Sequence, residues 1–273
     1  MTWLIDIIGK LFDLLVGLLG GSPLLVMLVV SVFTSVWALL LFKAVTPQAR
    51  LTIIRDRLFG HIYEMGLYQD HLGVVARIQG SLAKSNLKYL SLTLPALVVL
   101  TVPMVFTLAQ LDSRFAHRPF QPGETTVLSV KLSEDAGISL DNVTLETPPS
   151  LTVEAGPVRD AVSGSLAWRL RMEDRGTYVL RILDGTNELA AREVVVGDEL
   201  TPLGTSSKKE WLHRVLYPGA PPLPGDGSLD ELTLRLPERH TRYLGVEMHW
   251  LLAFMVFSLL GGLVLKDALR VSI

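Results

Sequence analysis

The segment SLTLPALVVLTVPMVFTLAQ, residues 91–110, decides the fold class of this chain. It contains no charged residue, and a helix of this length, rising about 1.5 Å per residue, crosses a hydrocarbon core about 30 Å thick. Two other stretches of the sequence are comparably apolar. We therefore predict three transmembrane helices, at residues 22–43, 90–111 and 248–265.

The composition fits a membrane protein with a substantial polar part. Hydrophobic residues make up 49% and charged residues 19% of the 273 positions, too apolar for an ordinary soluble domain and too charged for a membrane bundle alone. The absence of cysteine excludes disulfides, thiol nucleophiles and cysteine-bound metals. Because the formal net charge is only -2, we expect no specific nucleic-acid partner.

The N-terminal residues 1–21 carry a narrow polar stripe on an otherwise apolar helix. Asp6, Lys10 and Asp13 recur at helical spacing, and two glycines follow before Ser22 opens the first span. This pattern predicts an amphipathic helix lying in the membrane interface. The alternative is an N-terminal extension of the first span.

Residues 44–89 are rich in basic residues, and their apolar pattern predicts a helical hairpin. Apolar residues recur every three or four positions on both sides of the break GLYQD. By the positive-inside rule we place this hairpin and the tail at residues 266–273 in the cytoplasm. Arg77, Lys84 and Lys88 share one face of the second helix and are candidates to contact lipid phosphates, a ribosome or an acidic substrate. A merely solvated face is the alternative.

Within residues 112–200 the spacing of apolar residues changes from the three or four positions of a helix to the alternation of a strand. We place this segment outside the cytoplasm. Six short alternating runs separated by turn residues predict an all-β sandwich of immunoglobulin type inserted between the second and third spans. Asp174, Gly176 and Tyr178 resemble the tyrosine corner of that fold, and Trp168 is suited to the space between the sheets. Residues 201–247 are predicted to be a connector with a short helix in KKEWLHRVLYP and a strand in ELTLRLPER.

No strong catalytic or metal-ligating pattern is present in the sequence. Ser81 and Lys84 have the S-x-x-K spacing of penicillin-binding enzymes but none of the companion motifs. We expect no metal site, no cofactor and no enzymatic activity. A weaker hypothesis is an enzyme using the outer-face histidines, which are His117, His213, His240 and His249.

Two prolines interrupt the second span, at Pro95 and Pro103. Each removes a backbone hydrogen bond, which in lipid must be replaced by neighbouring helices, hydroxyl groups or water. We therefore expect this span to be bent and to line a polar groove or a tightly packed bundle. The candidate groove-lining residues are Ser31, Thr34, Ser35, Thr93, Pro95, Thr101, Pro103, Gln110, His249 and Ser258.

The order of these features resembles a known family. An interfacial N-terminal helix, a basic cytoplasmic hairpin, a proline-bearing second span and a short last helix in HWLLAFMVFSLLGGLVLKDALRVSI are similar to the core of the YidC/Oxa-type membrane-protein insertases. The likeness is to the three-span branch that contains the insertase subunit of the endoplasmic-reticulum membrane complex and its archaeal relatives. It covers residues 1–111 and 246–273.

The resemblance implies an insertase-like chaperone. A hydrophilic groove would lower the cost of moving the polar flanks of nascent membrane proteins through lipid. The competing hypothesis is a structural subunit or anchor of a larger membrane complex, in which the spans contact other membrane subunits and the sandwich binds outside the cytoplasm. Either way membrane lipids are partners, and the protein is expected in a bacterial or archaeal-type cytoplasmic membrane.

Overall fold

The computed structural model describes residues 2–68, 70–223 and 227–271. The chain divides into two compact units. The β unit comprises Met1–Val26 and Phe106–Trp250, and the helical unit comprises Met27–Val105 and Leu251–Ile273.

Helices occur at both ends of the chain. Their bounds are α1 Thr2–Leu18, α2 Pro23–Val45, α3 Gln48–Leu67, α4 Leu72–Phe115, α5 Trp211–Leu216 and α6 Trp250–Ala268. Within the described residues, three segments are long and apolar enough to cross a membrane: Pro23–Val45, Gly73–Phe115 and Trp250–Ala268. The chain is therefore a membrane protein by length and composition of its helices.

The second predicted span and the second arm of the predicted hairpin form one helix. α4 runs for 44 residues, or roughly 66 Å, with Pro95 and Pro103 inside it. The sequence between the two predicted elements, around Leu87 and Leu90, contains no glycine or proline that would end a helix. α3 precedes α4 as expected for the first arm, and the antiparallel packing of the two arms stays a prediction.

Antiparallel strands fill the chain between α4 and α6. They are β1 Thr125–Leu132, β2 Val143–Glu146, β3 Leu151–Asp160, β4 Ser165–Met172, β5 Gly176–Asp184, β6 Asn187–Val196, β7 Ser206–Lys208, β8 Leu229–Leu234, β9 Thr241–Tyr243 and β10 Val246–Met248. A five-stranded sheet has the order β3-β4-β1-β8-β7, a three-stranded sheet has the order β2-β5-β6, and β9 pairs with β10.

One hydrophobic core joins the two larger sheets. It draws on alternate residues of the strands, such as Leu128 and Val130 of β1 and Leu180 and Ile182 of β5, each fully buried. Trp168 of β4 is 3% exposed within this core, as predicted. The six predicted strands are all present, and in β1, β4 and β6 the period-2 pattern matches the side of the strand that is buried. β3 is an exception, because only Leu151 in it is buried.

The predicted tyrosine corner has its hydrogen bond. The Tyr178 hydroxyl donates to the Arg175 carbonyl oxygen at 3.0 Å. Gly176 between them has φ +153°, and a Cβ added there would lie 2.9 Å from the Tyr178 hydroxyl oxygen. Glycine is thus favoured at position 176 for two reasons, the positive φ of the backbone and the close approach of the Tyr178 ring.

The segment predicted as a connector supplies structure to the sheet. β8 lies between β1 and β7, pairing Leu232 with Val130 and with Ser207. α5 is present within the predicted helical stretch. β7, β9 and β10 were not predicted, because three residues are too few to establish an alternating pattern.

A buried arginine connects α1 to the C-terminal end of α4. Arg114 is 1% exposed, and its Nη2 lies 2.5 Å from Asp13 Oδ1 and 3.2 Å from the Gly9 carbonyl oxygen. Its Nη1 donates to Gln110 Oε1 at 2.6 Å. The predicted polar stripe of α1 therefore includes Asp13, an exposed carboxylate that pairs with a buried arginine. Leu11, Leu14 and other apolar residues of α1 are exposed.

Candidate functional site

A cavity of about 430 Å³ lies among α2, α4 and α6 within the helical unit. Its volume falls in the range of about 300–1,000 Å³ typical of ligand-binding cavities. The wall is mostly apolar, with three hydroxyl-bearing residues in it. The lining residues are Thr34, Ser35, Ala38, Leu39, Phe42, Leu100, Met104, Met255, Ser258, Leu259, Gly262 and Leu263.

Helical spacing brings the lining residues of each helix to one face. α2 contributes positions three or four apart over residues 34–42, and α6 does the same over residues 255–263. α4 supplies Leu100 and Met104, which are four residues apart. The cavity is thus bounded by one face of each of the three membrane-crossing candidates.

A hydrogen bond between hydroxyl and backbone joins α2 to α6 beside the cavity. Ser35 Oγ lies 2.7 Å from the Ser258 carbonyl oxygen and 2.8 Å from the Ser31 carbonyl oxygen, so its one proton is shared between the two acceptors. Ser258 Oγ donates to the Met255 carbonyl oxygen within α6, at 3.1 Å. Polar contacts of this kind stabilise helix pairs in lipid, where water does not compete for them.

Two adjacent glycines of α6 have different surroundings. A Cβ added at Gly261 would lie 3.0 Å from Ser35 Oγ, so glycine permits the close approach of α6 to α2. A Cβ added at Gly262 would meet no atom within 4 Å, because it would point into the cavity that this residue lines. A side chain at Gly262 would therefore occupy the cavity without displacing a helix.

Two buried hydroxyl groups of α2 have no hydrogen-bond partner among the described residues. Ser31 is fully buried and Thr34 is 2% exposed, and neither Ser31 Oγ nor Thr34 Oγ1 is bonded there. A buried hydroxyl group without a partner costs about 1–3 kcal/mol. Of the two residues, Thr34 is in the cavity wall.

The structure brings together some of the predicted groove residues and separates others. Thr34, Ser35 and Ser258 line the cavity, and Ser31 adjoins it through its hydrogen bond from Ser35. Gln110 and His249 belong to the β unit. Four predicted residues of α4 do not line the cavity, namely Thr93, Pro95, Thr101 and Pro103.

Thr93 and Thr101 of α4 do not replace the backbone hydrogen bonds that its prolines remove. Pro95 and Pro103 leave the carbonyl groups four residues earlier, those of Ser91 and Val99, without their helical donors. Thr101 Oγ1 instead donates to the Leu97 carbonyl oxygen at 2.8 Å. Thr93 Oγ1 lies 3.1 Å from the Leu90 carbonyl oxygen.

The predicted basic residues Arg77, Lys84 and Lys88 are exposed on the N-terminal part of α4. Among the residues that the structure describes, no carboxylate lies within 4 Å of their charged groups. Their charges are therefore available to an anionic partner.

Sequence reasoning missed the apolar lining and the role of the α6 glycines. The signal that could have found the glycines is the cluster of small residues Ser258, Gly261 and Gly262, a spacing that favours close helix packing in membranes. Nothing in the sequence distinguishes Leu100 and Met104 from the other apolar residues of α4, because the face they occupy depends on which helices pack against it.

No family model matches the chain, and no curated protein matches it. Among solved structures, the crystal structure of the S-layer protein rSbsC(31-844) is similar with a TM-score of 0.24 and 16% sequence identity. The match covers 35% of this chain and 13% of the S-layer chain. A likeness at this level supports no inference about fold or function.

Proposed function

We propose that this membrane protein acts as an insertase-like chaperone for other membrane proteins, of the YidC/Oxa type that its sequence resembles. The observation that carries the proposal is the cavity bounded by three membrane-crossing candidates, with Thr34, Ser35 and Ser258 in its wall. A packed anchor has no need of an open space between its membrane-crossing helices, since membrane helices associate by close contact.

The mechanism follows from the cost of polar groups in lipid. A charged residue at the centre of a bilayer costs about 2.5–3.5 kcal/mol on insertion scales. A client helix in the cavity would lie beside Thr34, whose hydroxyl group has no partner among the described residues. The cavity would accept apolar side chains of the client, and the Thr34 hydroxyl group would bond to its polar flank.

The basic face of α4 would act before insertion. Arg77, Lys84 and Lys88 are exposed and would attract acidic flanks of a client, a ribosome or anionic lipid. This role requires the α3 region and the C-terminus to be cytoplasmic and the β unit to be outside, the orientation favoured by the positive-inside rule in a cytoplasmic membrane.

We further propose that the antiparallel sheets of the β unit form an immunoglobulin-like sandwich outside the cytoplasm. Support comes from the shared core, the buried Trp168 and the bond from the Tyr178 hydroxyl to the Arg175 carbonyl. Such a domain binds or spaces partners rather than catalysing reactions.

Site-specific photo-crosslinking in cells tests the insertase proposal. A crosslinking residue at Leu259, in the cavity wall, is expected to capture many short-lived nascent membrane proteins. The matched control is Leu260, which is 54% exposed but is not part of the wall. Equal capture at both positions, or capture of lipid alone at Leu259, would remove the proposal.

A variant with a filled cavity tests the same proposal through the rate at which client proteins are inserted. Gly262→Leu is expected to slow insertion of client proteins several-fold, because its side chain would occupy the open space beside Ser258. Leu260→Phe adds volume outside the wall and is expected to leave insertion unchanged. Normal insertion by a folded Gly262→Leu variant would contradict the proposed role of the cavity.

The second candidate function is an anchor or structural subunit of a larger membrane complex. It is favoured by the bond from Ser35 to Ser258 and by the close approach at Gly261, which are features of permanent helix packing. A crosslinking residue at Val162, which is 98% exposed beside β3, would then capture one stable partner. Capture of one partner at Val162 together with no nascent proteins at Leu259 would select this function.

A further inference from the structure

A second cavity, of about 670 Å³, lies in the β unit where the chain leaves α4 and enters α6. His117 follows the end of α4 by two residues, and His249 immediately precedes α6. Both are in its wall, together with Ala116, Glu238, Arg239, His240, Glu247 and Met248. Because α4 and α6 are membrane-crossing candidates, the ends of these helices lie at the depth of the lipid headgroups.

Trp250 marks the start of the last membrane-crossing candidate. It is the first residue of α6, whose 19 residues rise roughly 28 Å, about the thickness of the hydrocarbon core. His249, in the cavity wall, therefore lies just beyond the end of this candidate span.

The wall contains an arginine that forms no ion pair within 4 Å among the described residues. Arg239 Nε donates to the His117 carbonyl oxygen at 3.2 Å, and its Nη2 donates to the Glu199 carbonyl oxygen at 3.3 Å. No carboxylate of the described residues lies within 4 Å of its guanidinium. Carbonyl groups orient a guanidinium but do not cancel its charge, so Arg239 remains a binding group for an anion.

The same wall contains carboxylates. Glu238 is exposed and forms no ion pair within 4 Å in the described part of the chain, and Glu247 lies 3.7 Å from His240 Nδ1. Burial lowers the pKa of His117, which favours its uncharged form at neutral pH. One cation and two carboxylates thus surround a single space, which matches a ligand that carries both a negative and a positive charge.

We propose that this cavity binds the headgroup of a phospholipid bearing a primary amine, with the phosphate on Arg239 and the ammonium on Glu238 or Glu247. A phosphate accepts two parallel hydrogen bonds from a guanidinium. A primary ammonium donates up to three hydrogen bonds to carboxylates, whereas a trimethylated amine donates none. A headgroup with a phosphate and no amine would place its negative charge beside both carboxylates without a cation to pair with them, and would therefore bind less well.

Native mass spectrometry of the full-length protein in a neutral detergent tests the proposal. The probes are phosphatidylethanolamine, phosphatidylcholine and phosphatidylglycerol with identical acyl chains. Phosphatidylethanolamine is expected to form the most persistent complex. Arg239→Gln is expected to weaken that complex about tenfold, because a charge-assisted bond is lost. The double variant Glu238→Gln/Glu247→Gln is expected to bring phosphatidylethanolamine down to the level of phosphatidylcholine.

Two controls separate this site from general lipid binding. Arg242, on β9, is exposed but is not part of the cavity wall, and Arg242→Gln is expected to change nothing. Soluble phosphoethanolamine is expected not to displace the lipid at equal concentration, and displacement would assign the site to a free phosphate compound instead. Equal binding of all three lipids, or unchanged binding by Arg239→Gln, would overturn the proposal.

Discussion

The Arg114 guanidinium contacts Asp13 on one side and lies 5.4 Å from the Phe12 ring centroid on the other. α1 thereby covers a charge that is almost completely buried at the end of a membrane-crossing candidate. An unpaired cation at this position would carry a desolvation cost of several kcal/mol, so the contact explains why an apolar helix retains Asp13.

Removing either member of this pair is expected to destabilise the protein. Asp13→Asn should lower the free energy of unfolding in detergent micelles by about 1–3 kcal/mol, because Arg114 stays buried without its counterion. The double variant Asp13→Asn/Arg114→Gln should lose less than the sum of the single losses, by at least about 0.5 kcal/mol. Asp6→Asn, an exposed carboxylate of the same helix, serves as the control and should change stability little. Additive losses would show that the two side chains do not act as a pair.

The close approach of Gly261 on α6 to Ser35 on α2 is expected to make stability sensitive to a single added methyl group. Gly261→Ala places a Cβ 3.0 Å from Ser35 Oγ and should lower the unfolding temperature, at a cost of about 1 kcal/mol or more from overpacking. Gly262→Ala is the matched control, because its Cβ meets no atom within 4 Å. Thermal unfolding in detergent measures both. If the two variants melt at the same temperature, the contact to Ser35 does not limit helix packing.

The turn at Gly176 is expected to tolerate no side chain. Gly176→Ala combines an unfavourable φ with a clash against the Tyr178 hydroxyl and should destabilise the protein by about 1–3 kcal/mol. Tyr178→Phe removes only the hydrogen bond to Arg175 and should cost about 0.5–1.5 kcal/mol. Gly197→Ala, where a Cβ has free space, should have little effect in the same unfolding assay. A larger loss at Gly197 than at Gly176 would contradict the geometry described here.

Tyr243 is expected to titrate later than an exposed tyrosine. Burial raises the pKa of its hydroxyl group from 10.0 to about 12. Because the folded-state pKa is the higher one, the stabilisation from the neutral phenol is complete below pH 10 and is lost as the pH rises from 10 towards 12. Spectrophotometric titration of the phenolate should show a late component that disappears in Tyr243→Phe. A wild-type titration without that component would contradict the burial of this group.

Local patterns predicted much of the fold because their period matches the burial that the structure shows. β1 and β4 coincide with the alternating runs TTVLSVKL and SLAWRLRM, since one face of each strand is in the core. The apolar stretch around Pro95 predicted a membrane-crossing segment in the same way. These features depend only on residues that are close together in the sequence, so they can be predicted from it.

The remaining features depend on contacts between distant residues. Gln110 was predicted to line a groove, yet its amide oxygen accepts a hydrogen bond from Arg114 within the same helix. The face of α4 that carries Leu100 and Met104 has no distinguishing composition. The spacing of hydrophobic residues identifies a segment as a helix or a strand. It does not show which other element each face of that segment packs against.

The central position of β8 has a consequence for how the protein is made. β4 and β8 lie on the two sides of β1, and β8 is among the last strands to be synthesised before α6. Until it arrives, β1 presents an unpaired edge, a surface prone to join the strands of other chains. The five-stranded sheet of the β unit therefore cannot be completed until residues 229–234 have been synthesised.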